Sequence, residues 1–200
     1  MPRRANIRPD EPGRDKILDA GRAVFGARGF DATSIAQIGQ EAGIAKSVLY
    51  HYFGSKAGLY EAILDQDAQG LIAAVATAVP RDRRATPRLR PGVDAFLAYL
   101  ADHRDSWRLL TRDAPADPDV QAIHERIDDA ISSSLRRLLA LPAKARAKPH
   151  LVDLVALAVR TYAAWWYDNP DVPRDDVLEA ILDVAAAGAK RIGQQVRTGA

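Results

Sequence analysis

Cysteine is absent from this chain of 200 residues, and methionine occurs once. Without thiols there is no disulfide, no thiolate metal site and no cysteine nucleophile. No apolar run approaches the roughly 20 residues of a membrane-spanning helix. The opening stretch MPRRANIRPDEPGR lacks the apolar centre of a signal peptide. The cytoplasm is therefore the expected location, with no membrane partner. No segment alternates apolar and polar residues for long enough to propose a strand. A nucleotide-binding glycine loop and a nucleophile motif are both missing, so no catalytic residue and no cofactor is expected. His103, His124 and His150 are scattered. His124, Glu125 and Asp128 alone share helical spacing, which reads as a solvated helix face, and no metal site is expected.

What is present is apolar material for a core, 48% of residues, with 27% charged and a formal net charge of only +2. The charge is uneven. Residues 1–60 hold nine lysines and arginines against six acids, a surplus larger than that of the whole chain. A basic end suits a nucleic-acid partner.

Helical periodicity organises nearly everything after a basic, proline-containing arm at 1–13. Ile17, Leu18, Gly21, Val24 and Phe25 mark one face of a first helix that Gly29 stops. Ser34 and Gln37 have capping-box spacing and open a second helix, Ser34–Ala42, which Gly43 ends. A third spans Lys46–Phe53, and Gly54-Ser55 breaks it. Ser55 caps a long fourth helix reaching about Val79, before Pro80. RDRRATPRLRP, residues 81–91, reads as a connecting loop. Further helices are expected near 92–102, 104–112, 118–140, 149–168 and 174–196, punctuated by prolines.

The run TSIAQIGQEAGIAKSVLYHYFGSK, Thr33–Lys56, carries the functional specificity. Two short helices joined by a glycine turn form a helix-turn-helix, whose second helix can enter a DNA major groove. In that helix Leu49 and Phe53 lie four apart and supply a buried face, with Val48 or Tyr52 at its edge. Lys46, Ser47, Tyr50 and His51 then point away, with groups able to meet phosphate or base edges. Thr33, Ser34 and Lys56 lie where helix N-termini add backbone donors.

Phe25, Gly29-Phe30, Thr33, Ile38, Ala42-Gly43-Ile44, Leu49-Tyr50, Tyr52-Phe53, Ser55-Lys56 and Leu59 follow a pattern that resembles the TetR family of bacterial transcriptional regulators, over about residues 14–64. The resemblance implies an all-α protein: an N-terminal three-helix helix-turn-helix DNA-binding domain plus a larger C-terminal helical ligand-binding and dimerisation domain. The expected division is 1–13 arm, 14–55 DNA-binding domain and 56–200 helical domain, with 56–79 as connecting helix. It further implies a homodimer on a palindromic operator of double-stranded DNA. By position, Lys46, Ser47 and Val48 look base-facing, while Thr33, Tyr50, His51, Tyr52 and Lys56 look like phosphate contacts. Two departures stand out. Ala45 sits where the family often has a capping serine or threonine, a cap worth about 0.5–2 kcal/mol. Gly39 replaces a frequent alanine, at roughly 1 kcal/mol in helix propensity.

The larger domain holds all three tryptophans. Phe96, Tyr99, Trp107, Arg160, Tyr162, Trp165 and Trp166 are the candidate lining of a ligand pocket, with the same aromatics serving a helical core as the alternative. Such a lining suits a fairly apolar small-molecule effector, with Arg160 or Arg108 able to meet an acidic group. Apolar stripes in 149–168 (Leu151, Leu154, Val155, Ala158, Tyr162, Trp165) and in 174–196 (Val177, Leu178, Ile181, Leu182, Ala185, Ala189, Ile192) offer a symmetric dimer interface. The resulting expectation is a ligand-responsive homodimeric repressor. Competing readings are a ligand-independent DNA-binding factor or activator, and a helical enzyme or carrier with an incidental helix-turn-helix.

Overall fold

The computed structural model of the chain describes residues 11–80, 89–111, 117–138, 149–184 and 186. Among the described residues every regular element is an α-helix and no strand occurs. The helices are α1 (Glu11–Arg28), α2 (Ile35–Ala42), α3 (Lys46–Phe53), α4 (Lys56–Ala78), α5 (Leu89–Asp102), α6 (Arg104–Thr111), α7 (Pro118–Leu138) and α8 (Pro149–Asp168), followed by α9 (174–184). Two helices start earlier than their apolar pattern. α1 begins at Glu11 and α5 at Leu89; Pro12 and Pro91 sit in their first turns, where a missing N–H costs nothing. Residues 1–10 of the expected arm, 81–88 of the expected loop, 139–140 and 187–196 lie outside the described residues, as do the side chains of Leu151, Leu154 and Val155.

The chain forms two compact units. The first comprises residues up to Ala68 together with Asp105–Ile127; the second comprises Gln69–Arg104 and the chain from Asp128 onward.

In the first unit α1 and α4 present the large apolar side chains that α2 and α3 cannot supply alone. Ile17, Leu18, Phe25, Ile38, Leu49, Leu59, Tyr60, Ile63 and Leu64 are almost wholly buried. Burying each such side chain is worth about 1.5–3 kcal/mol. Phe25, Phe30 and Tyr60 form a triangle. Tyr60 meets both phenylalanines edge-on at 5.0 Å, and the two phenylalanine rings stack at 5.8 Å. One ion pair is drawn into this interior. Arg22 Nε donates to Asp67 Oδ1 at 2.9 Å, and Asp67 is only 3% exposed. Burial lowers the Arg22 pKa, but the hydrogen bond and charge of Asp67 outweigh it and hold the guanidinium above its ordinary value.

The reading of His124 as part of a solvated face is corrected by its surroundings. Its Nε2 and the Tyr60 hydroxyl share a hydrogen bond of 2.9 Å, which half-buries the ring, while Glu125 stays exposed.

In the second unit Leu71, Val75, Phe96, Leu97, Leu100, Ala163, Val177 and Leu178 make the core. Its rim carries ion pairs between Arg90 and Glu179, Arg174 and Asp94, and Arg160 and Asp128. The C-terminal end of α8 is tied down by Trp166 Nε1, which donates to the Val172 carbonyl at 2.8 Å.

Candidate nucleic-acid interface

The helix-turn-helix is built by caps that the local residues dictate. Ser34 closes a reciprocal box on α2: the Gln37 N–H donates to Ser34 Oγ at 3.3 Å, and the Ser34 N–H donates to Gln37 Oε1 at 2.8 Å. At the other end Gly43 adopts φ 64, a left-handed conformation that glycine takes without penalty. Its N–H reaches the Gln40 carbonyl and the Ile44 N–H reaches the Gly39 carbonyl at 2.8 Å, satisfying the last orphan acceptors of α2.

This tight exit corrects the cost assigned to Gly39. A Cβ there would stand 2.8 Å from the Ile44 carbonyl oxygen, a backbone atom that cannot step aside alone. Glycine at 39 is what lets the turn close against α2.

α3 starts at Ala45, whose backbone is extended and whose side chain makes no cap. Leu49 is its buried anchor, while Phe53, Val48 and Tyr52 are half-buried at the edges. Lys46, Ser47, Tyr50 and His51 are exposed on the opposite side. Lys46 and Tyr50, one helical turn apart, are not independent. The ammonium lies 5.4 Å from the centre of the Tyr50 ring, which is 44% exposed. Gly54 then ends α3, and Ser55 Oγ accepts the Gly58 N–H at 2.9 Å to open α4. Arg14 of α1 stands 5.7 Å over the Phe53 ring and adds a cation at the C-terminal end of α3, one that spacing alone did not single out.

Two of the expected phosphate contacts are placed differently. Thr33 is 3% exposed, and its hydroxyl donates to the Gly29 carbonyl at 2.7 Å. The reason is the turn after α1: Gly29 takes φ 77 there, and the chain folds back so that the Thr33 N–H also meets the Phe30 carbonyl. Lys56 is likewise turned inward, with Nζ donating to the carbonyls of Phe30 at 2.9 Å and Thr33 at 3.1 Å. Ser34 remains exposed at the α2 N-terminus, with its hydroxyl within 2.9 Å of Gln37 Oε1.

The candidate ligand residues are dispersed. Trp107 is buried in the first unit, whereas the other six belong to the second. Phe96 is a core residue, and Tyr99 packs its hydroxyl end against Gly70. Tyr162 and Trp165 stack at 5.1 Å, but Trp165 is 43% exposed. Arg160 is held by Asp128 at 2.7 Å, and the Trp166 N–H is already used on Val172. Burial and ion pairing thus account for most of this set.

A family model described as bacterial regulatory proteins, tetR family, matches residues 17–63. A second, described as tetracyclin repressor-like, C-terminal domain, matches residues 85–188. The chain belongs to the TetR family. It is a DNA-binding transcriptional regulator rather than an enzyme. Members of the TetR family bind DNA, often bind small-molecule effectors, and dimerise. A full-length relative is the HTH-type transcriptional activator FasR of Mycolicibacterium smegmatis, 30% identical over 195 residues, which span 95% of this chain and 89% of that protein. Among solved structures, a TetR-like regulator from Rhodococcus sp. RHA1 superposes with a TM-score of 0.72 at 26% identity, covering 92% of this chain and 98% of that one. FadR from Bacillus subtilis, in complex with stearoyl-CoA, shares the fold at a TM-score of 0.69 and 14% identity, over 84% of this TetR-family chain and 96% of its own. No helix among the described residues is long and apolar enough to cross a membrane.

Proposed function

We propose that this TetR-family regulator reads a palindromic operator as a homodimer and releases it when a fairly apolar effector binds the larger helical domain. The observation that carries the reading is the outward face of α3. Lys46, Ser47, Tyr50 and His51 are exposed on a helix whose opposite side is anchored by Leu49. Val48 at its edge meets base methyls, Lys46 and Ser47 read base edges, and Ser34, Tyr50, His51 and Tyr52 meet phosphate oxygens. For both α3 helices of a dimer to dock, the half-sites must be about 34–36 Å apart or a multiple of that.

Dimerisation runs through α8 and α9. Leu157, Trp165 and Val184 support this, as large apolar side chains left exposed on those helices. The effector belongs to the acyl class, an assignment suggested by the stearoyl-CoA bound to FadR, which shares the fold. It acts by population shift, favouring a dimer geometry in which the two α3 helices no longer match successive grooves. Repression by promoter occlusion is the primary reading. Activation is the second, and the full-length likeness to an activator supports it.

The experiment is selection of bound duplexes from a random pool, followed by transcription in vitro from the selected site with and without long-chain acyl-CoA. An inverted repeat whose occupancy falls as acyl-CoA rises is the expected result. A single half-site bound by monomer, or occupancy indifferent to every acyl chain length, contradicts the dimer and the effector respectively. The sign of the transcriptional change separates repressor from activator.

A further inference from the structure

Lys56 is the first residue of α4, a position where the helix dipole disfavours a cation. Its ammonium is instead spent on the turn between α1 and α2. Two N–H groups go to the carbonyls of Phe30 and Thr33, at 2.9 and 3.1 Å, and the Phe30 ring centre lies 4.1 Å away. Carbonyl, carbonyl and ring face thus occupy three directions around one nitrogen.

The group it holds is itself tightly placed. Phe30 is wedged against Phe25 and Tyr60, and the Thr33 hydroxyl is bonded to Gly29. The next residue, Ser34, is the cap of α2. Along the chain, then, Lys56 joins the start of α4 to the two residues that set where α2 begins. α2 in turn carries the turn that launches α3.

We propose that Lys56 is a positioning residue for operator recognition: it clasps the α1–α2 turn to the α4 N-terminus and neutralises no phosphate. This rests on the reading of α2 and α3 as the operator-binding pair. The proposal separates from a phosphate contact by charge counting. Each phosphate neutralised contributes about −0.9 to the slope of log affinity against log salt on duplex DNA. It separates from a merely stabilising role by affinity, because a residue that only stabilises leaves the folded protein's affinity unchanged.

The test uses the full chain on its selected operator, well below its melting temperature, across a salt series. Lys56→Met keeps the aliphatic stem and removes the ammonium; Lys56→Arg keeps the charge but replaces the compact ammonium with a longer, planar fork of different donor geometry. Both variants are expected to lose roughly tenfold or more in affinity, the scale of hydrogen bonds from a charged donor, with the wild-type salt slope retained. A slope about 0.9 shallower in Lys56→Met, or full affinity in Lys56→Arg, overturns the proposal. Wild-type affinity in Lys56→Met with only a lower melting temperature also overturns it. If Lys56→Met does not fold, Lys56→Arg decides alone. Lys46→Ala serves as control. Unchanged operator affinity in that control places the fault in the reading of α3, not in the role of Lys56.

Discussion

Arg22→Met removes a guanidinium that pairs with the buried Asp67 in the interior of the first unit. Its Nε donates to both carboxylate oxygens of Asp67, at 2.9 and 3.2 Å, while Nη1 meets Asp19 at 2.7 Å and Nη2 meets Gln66 at 2.7 Å. The Asp19 contact reaches an exposed carboxylate three residues away on the same helix, and such pairs are worth about 0.2–0.5 kcal/mol. The contact with Asp67 dominates. Breaking a buried pair from one side costs about 3–5 kcal/mol, and the 18% exposure of the Arg22 side chain places this case toward the lower end. For a chain of this size each kcal/mol moves the melting temperature by about 2–4 °C, so a fall of about 6–20 °C is expected. Thermal unfolding followed by circular dichroism measures it. A cycle with Asp67→Asn isolates the pair, for which a coupling of about 1.5 kcal/mol or more is expected. The sign with pH also follows. Because the folded pKa of Arg22 is raised, its share of stability is fully present below the ordinary arginine value and lost only above the raised one. The Arg22→Met deficit is therefore the same at pH 6 and pH 9. A deficit below about 1 kcal/mol, or no coupling with Asp67→Asn, refutes the claim that this pair holds α1 to α4.

Other substitutions probe the reading head itself. Ala45→Ser supplies the missing cap of α3 and is expected to raise stability by about 0.5–2 kcal/mol, measured by chemical denaturation; no gain would mean that α3 is not limited by its N-terminus. Gly39→Ala adds a Cβ 2.8 Å from the Ile44 carbonyl. A net loss of about 1 kcal/mol or more is expected despite the better helix propensity, and a gain in melting temperature would show that the turn has room.

Much of this molecule was readable in the chain because its signals are local. Ser34 and Gln37 are three residues apart, Gly29, Gly43 and Gly54 each mark a positive φ, and Ser55 caps α4; a short window contains everything needed to place those helix ends. The outward set Lys46, Ser47, Tyr50 and His51 followed from the burial of Leu49 by the period of one helix. What was not readable is carried by distant partners. Arg22 and Asp67 lie 45 residues apart and Tyr60 and His124 lie 64 apart, with nothing in either neighbourhood to announce the match. Lys56 and Thr33 fit a phosphate-contact pattern by type and position, yet a side chain's direction depends on the carbonyls within reach, and the turn after Gly29 supplies them. The aromatics of α5, α6 and α8 could not be sorted from the chain for a related reason, since composition does not say whether a tryptophan faces a cavity, a core or solvent. Gly39 is the sharpest instance. Its helix propensity is unfavourable, and the close approach of the Ile44 carbonyl makes glycine the better residue there all the same.

The central claim is that the exposed face of α3 meets duplex DNA through Lys46. It is tested most directly by the salt dependence of operator binding in wild type and Lys46→Ala, with Tyr50→Phe measured alongside. The expected result is affinity that falls steeply with salt in the wild type and weaker operator binding in both variants without loss of fold. Because Lys46 reads a base edge, its loss falls on the selected operator and not on random duplex, by about 1–3 kcal/mol. Unchanged affinity for operator and random duplex in both variants would contradict it.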